Sequence, residues 1–136
     1  MSLPLRPGEV GALGIVLISA AVGAYFYPQM PEVVASHWNA SGQVDGYTSR
    51  FWGAFALPLV SLGVLLLLIA IPRVDPLRAN IQTFRTYYDL LIALLMGFLL
   101  YLHLLTILWN LGAGFNILQF MSPAIGALFY YVGILI

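Results

Sequence analysis

The chain has 136 residues, of which 62% are hydrophobic and 7% charged, with a formal net charge of zero. Soluble domains carry about 25% charged residues, so this composition cannot cover a water-exposed surface and specifies an integral membrane protein. The five positive charges are all Arg and lie scattered along the sequence, which offers neither a nucleic-acid groove nor a polybasic lipid anchor, and the lack of Cys removes disulfides, thiolate metal sites and thiol nucleophiles.

Hydropathy divides the chain into four spans of a single all-α, polytopic membrane domain. The first runs from about residue 8 to 27, long enough to cross roughly 30 Å of hydrocarbon. Pro28 and Pro31 punctuate its end. A lone Arg6 and a long apolar run favour a retained helix over a cleaved signal peptide. Ser19 with Gly23, and Ala20 with Ala24, recur at the interval that lets a neighbouring backbone approach closely.

Residues 28–50 form a polar island, expected to be an ordered loop outside the membrane. Val33 and Val34 favour extended backbone, while Asn39-Ala40-Ser41-Gly42 and Asp45-Gly46 are turn signals with glycine where positive φ is needed. Trp38 and Tyr47 are amphipathic rings suited to the membrane surface. In the simplest reading Asn39 and Asp45 bond their own turns, His37 and Trp38 pack at the interface, and Arg50 meets headgroup phosphates. Alternatively, the aromatic and charged groups make a recognition surface. A metal site of His37, Asp45 and Glu32 lacks any recognised zinc spacing. Asn39-Ala40-Ser41 also satisfies the glycosylation sequon, a frequent chance match.

The second span, about 51–71, contains Pro58, a kink whose freed carbonyl neighbours must satisfy, and Pro72 closes it. Asp75-Pro76 then reads as an N-cap with proline at the first helical position. The third helix starts there and continues unbroken to Leu111, with 86–111 in the membrane. Its first turns, carrying Arg78, Asn80, Gln82 and Arg85, project into water, and Tyr87 and Tyr88 mark the interface. Arg85 and Asp89 stand as an i, i+4 pair. Gly112 to Asn116 is a tight connection to the fourth span, 117–136, in which Ser122-Pro123 is a late cap or a kink. The sequence stops within an apolar run, as expected of a truncated protein or a short relative of a longer one.

Arg6, Arg73, Arg78 and Arg85 fall on one side of this topology and Arg50 on the other. The positive-inside rule therefore puts both termini in the cytoplasm and the island outside.

Pro31, His37-Trp38-Asn39, Gly42, Asp45-Gly46 and Arg50, followed by a helix with Pro58 and by Pro72, Asp75, Pro76 and Asn80, resemble the first half of the SdpI family of prokaryotic membrane proteins. The resemblance covers about residues 8–88. It implies a membrane immunity protein, without enzymatic activity, that guards its producer against a secreted peptide toxin and holds a transcriptional repressor at the membrane. A cytoplasmic partner at the Asp75-Pro76 loop follows from the resemblance alone. Longer members carry a second motif rich in Asn, Gly, Arg, Thr, Pro and Trp, which this chain ends before reaching.

Asp89, His103 and Asn110 recur every seven or fourteen residues and so share one face of the third helix, with Thr106 close to the same line. Polar groups at membrane depth serve either as interhelical hydrogen-bonding glue or as the wall of a wet path. The sidedness brings His103 and Asn110 beneath the island, with His37 and His103 near one another.

The expected function is recognition of an extracellular peptide toxin or lipid in the cell membrane, with Pro31, His37, Trp38, Asn39, Gly42, Asp45, Gly46 and Arg50 as binding residues. No cofactor and no nucleic-acid partner are expected, and lipids and further copies of the chain are the natural neighbours. Two rivals stand beside it. One is a small transporter or channel subunit using Asp89, His103, Thr106 and Asn110, and the other a metal-dependent membrane enzyme. Without Cys, Lys or a G-x-S-x-G motif the means for the enzyme are thin.

Overall fold

The computed structural model describes residues 4–135. Helix α1 spans Pro7–Phe26 and ends in a 3-10 turn at Tyr27–Gln29, after which β1 (Val33–Trp38) and β2 (Val44–Ser49) pair as an antiparallel hairpin. Helix α2 covers Arg50–Val74, a short α3 Arg78–Gln82, α4 Arg85–Asn110 and α5 Ile117–Leu135. Among the described residues four helices, α1, α2, α4 and α5, are long and apolar enough to cross a membrane. The protein is thus a multi-pass membrane protein. The end of the fourth span expected at Ile136 lies outside the described residues.

Helices α1, α2 and α4 pack against one another, and α5 lies along α4. One core layer gathers Ala12, Val16, Leu65, Ile92 and Met96. A second, at the hairpin end, gathers Met30, Val34, Ala54 and Ile107. Since α1 leads into the hairpin and α2 leads away from it, the hairpin and the α2–α4 connection occupy opposite ends of the bundle.

Both prolines of α2 lie inside the helix, and Pro72 does not end it as the sequence suggested. A proline leaves the carbonyl four residues earlier without its helical donor. For Pro72 that carbonyl is Leu68, and the Tyr88 hydroxyl of α4 donates to it at 2.6 Å. Helix α2 therefore runs on to Val74, and Tyr88 is buried rather than interfacial. For Pro58 the carbonyl is Ala54, which lies against Gly23 of α1 so closely that a Cβ built there would sit 2.1 Å from the oxygen. Glycine at 23 thus permits a Cα–H contact to the freed oxygen. Of the two small-residue pairs, Ser19 and Gly23 face this interface, whereas Ala20 is half-buried and Ala24 exposed.

The third helix is not continuous from Asp75. The Asp75 carboxylate accepts from Leu77 N at 2.7 Å in a turn, and α3 begins only at Arg78. It ends where the Thr83 hydroxyl donates to the Asn80 carbonyl at 2.6 Å, and Thr83 and Phe84 make i→i−3 backbone bonds. A side chain that competes for helical carbonyls breaks a helix in this way. The break turns Ile81 into the core and swings Arg85 inward.

Candidate functional site

The polar island is a hairpin with one turn, not a loop with two. Asn39 Oδ1 accepts from Ser41 N at 2.9 Å and Gln43 N at 3.0 Å, and Gly42 takes φ +79°. Asp45-Gly46, expected as a second turn, lies inside β2. Glycine is required at 46 for another reason: a Cβ there would stand 2.9 Å from His37 Cβ across the ladder. His37 pairs with Gly46, Trp38 with Val44, and the register shifts on both sides of His37. Such irregularities re-aim side chains. Here they bring His37 Nδ1 onto the Asp45 carboxylate, so Asp45 bonds His37 rather than its own turn. No third acidic or imidazole group joins this pair among the described residues.

Arg50 closes the base of the hairpin. Its backbone N–H donates to the Glu32 carbonyl at 2.9 Å, its Nε to the Pro31 carbonyl at 3.4 Å, and its guanidinium lies over the Tyr27 ring. Headgroup contact is not needed to account for it.

Three contacts dock the hairpin onto the bundle. Fully buried Val34 presses on Gly53, where a Cβ would fall 2.3 Å from Val34 Cγ2. Trp38 meets Trp109 edge-to-face at 5.5 Å. Asn110 at the end of α4 accepts from Ala35 N at 2.7 Å and donates to Ala35 O at 2.9 Å. Its carboxamide thereby substitutes for an adjacent strand on the edge of β1, which would otherwise leave both groups unpaired.

Beneath the hairpin run two neighbouring cavities. One of about 230 Å³ is lined by Ala35, Ser36, Thr48, Trp52, Thr106 and Asn110 among others. The second, about 280 Å³, includes His37, Trp38, Leu102 and Met121. Ser36, Leu57 and Thr106 belong to both, so together they form a groove whose walls come from the hairpin, α2, α4 and α5. The floor is apolar. The polar groups are the hydroxyls, the Asn110 amide and His37, a combination suited to an amphipathic ligand.

The polar face of α4 is shared among three tasks. Asn110 holds the hairpin, and the Thr106 hydroxyl donates to His103 O at 2.9 Å. His103 is fully buried beside Gly23, with no hydrogen bond to either ring nitrogen among the described residues. His37 is exposed and engaged with Asp45, so the two histidines do not form one site as expected. Asp89 belongs to the other end of the bundle.

There the expected Arg85–Asp89 pair forms, and it joins a cluster around Glu9, a residue that sequence reasoning missed. Glu9, fully buried in the first turn of α1, accepts from Arg73 Nη1 and Nη2, both at 2.8 Å, and from Arg85 Nη2 at 3.0 Å. Its second oxygen also accepts from Arg6 N at 2.9 Å, capping the helix start. Asp89 takes Arg85 Nε at 2.9 Å and Arg6 Nη2 at 3.0 Å. A lone acid in the first turn of an apolar helix was the available signal, since an ionised group at that depth demands partners.

A family model described as a domain of unknown function, DUF1648, matches residues 14–62, from α1 through the hairpin into α2. No curated protein and no solved structure matches the chain.

Proposed function

We propose that this protein is a non-enzymatic recognition protein of the cell membrane, of the immunity type seen in the SdpI family, whose hairpin groove takes a segment of a membrane-active peptide. The groove carries the reading. It is walled by a hairpin fastened to the bundle at three points, and it mixes tryptophan faces with a few hydroxyl, amide and imidazole groups. Rigid aromatic walls give contact area at low entropic cost. The segment matched by the family model contains the hairpin together with most of α1 and the first half of α2.

Arginine placement supports an outward hairpin and cytoplasmic termini: Arg6, Arg73 and Arg85 cluster at the end opposite the hairpin, and Arg50 alone stands beside it. Exposed α3 is then the surface open to a cytoplasmic regulator.

The test is survival of cells expressing the protein under challenge with membrane-active secreted peptides. Ala56 of α2 also lines the cavity of about 230 Å³ under the hairpin, beside Trp52 and Thr106, and Ala56→Phe, which fills the groove, should abolish protection at unchanged expression. Full protection by that variant refutes the groove as the site. Labelling of Ser36→Cys from the cytoplasmic side alone would reverse the orientation.

A further inference from the structure

The cluster of charges at the hairpin-distal end is not balanced. Three guanidinium groups, of Arg6, Arg73 and Arg85, face two carboxylates, of Glu9 and Asp89, leaving one positive charge without a counterpart in the cluster. The same three arginines line a cavity of about 180 Å³ together with Pro4, Pro72 and Gln82. Donors also remain. Arg6 bonds through Nε and Nη2, Arg85 through Nε and Nη2, and Arg73 through its two terminal nitrogens. One N–H-bearing nitrogen of each, namely Arg6 Nη1, Arg85 Nη1 and Arg73 Nε, has no partner among the described residues.

Carboxylates already fix these guanidinium planes, so the cavity is preorganised. Arg73 and Arg85 have side chains only 21% and 8% exposed and are held by Glu9, while Arg6, 45% exposed, stands at the mouth. One unpartnered nitrogen from each of three guanidinium groups lining a single cavity suits a tetrahedral, oxygen-rich anion, which can accept a charge-assisted hydrogen bond from each. Val74, Leu77 and Phe84, exposed apolar residues of the α2–α4 connection, are carried at this same end of the bundle. The site therefore sits where hydrocarbon gives way to water.

We propose that this arginine cavity binds a phosphate group, as an anionic lipid headgroup or as free phosphate. The position of the cavity at the end of the bundle, with exposed Val74, Leu77 and Phe84 carried at that same end, favours the lipid. The site is independent of the groove beneath the hairpin, and its failure would leave that reading untouched.

The full chain is placed in phosphatidylcholine nanodiscs and its thermal unfolding followed as phosphatidylglycerol replaces part of the lipid or, separately, as inorganic phosphate is added against chloride at matched ionic strength. A rise with phosphatidylglycerol alone assigns the lipid, and a rise with inorganic phosphate assigns the free anion. Arg6→Gln keeps Glu9 bonded to Arg73 and Arg85 and so leaves the fold in place. It should weaken the response about tenfold, the weight of one charge-assisted hydrogen bond, with Arg6→Lys intermediate. No response to either anion, or an equal response in Arg6→Gln, overturns the proposal.

Discussion

Replacing Gly23 by Ala tests the junction on which the bundle is built. A Cβ at 23 would lie 2.1 Å from the Ala54 oxygen and 3.0 Å from its carbonyl carbon. Ordinary C···O approaches are about 3.3–3.6 Å, so α1 and α2 must part by more than about 1 Å at their closest point. The obstacle is backbone and cannot rotate aside. Overpacking of this kind costs about 3 kcal/mol at the upper end of its range, against about 1 kcal/mol returned by the better helix propensity of Ala, for a net loss of about 2 kcal/mol. Gly63 in α2 provides the control, because a Cβ there meets nothing within 4 Å. Gly63→Ala should stabilise by about 0.5–1 kcal/mol. Equilibrium unfolding in mixed detergent micelles measures both. If Gly23→Ala proves as stable as Gly63→Ala, the close crossing at Ala54 is wrong.

Other perturbations act at separate points. Glu9→Gln strands two arginines and should cost about 3–5 kcal/mol, read in the same unfolding assay, with Arg73→Gln added to it restoring part of the loss. Asn110→Ala leaves Ala35 N–H and C=O unpaired; hydrogen exchange at Ala35 should accelerate, with a loss of about 1–3 kcal/mol. His103→Leu removes a buried ring with no hydrogen-bond partner among the described residues, so stability should hold or rise, and a clear fall would mean that the imidazole is bonded. His37→Ala breaks a pair whose side chains are 71% and 43% exposed, and should change stability by no more than about 1 kcal/mol.

The long helices were legible because apolar runs of membrane length leave little else open to the chain. Glycine at 42 was legible too, since a turn with positive φ favours it. Other features depended on partners distant in sequence. Pro72 reads as a helix stop until Tyr88, sixteen residues later, supplies a hydroxyl to the freed carbonyl. Asp45-Gly46 reads as a turn until His37 across the ladder explains the glycine. The arginines look scattered in sequence, yet Glu9 draws Arg73 and Arg85 onto one carboxylate from 64 and 76 residues away. The α3–α4 break hinged on one threonine hydroxyl, a choice that periodicity does not register. Within the candidate site, residue types pointed to the hairpin, but the groove depends on how it seats on α2 and α4.

One consequence lies in the attachment of Asn110 to Ala35. Helix α4 has no internal proline, and its far end is held to the start of α1 by the Arg85–Glu9 and Arg6–Asp89 bonds. The carboxamide at one end and the guanidinium at the other therefore belong to a single stiff rod. A load on the first strand would be carried along that rod to the other end of the bundle, where the helix break at Thr83 and Phe84 is the nearest interruption of regular backbone bonding.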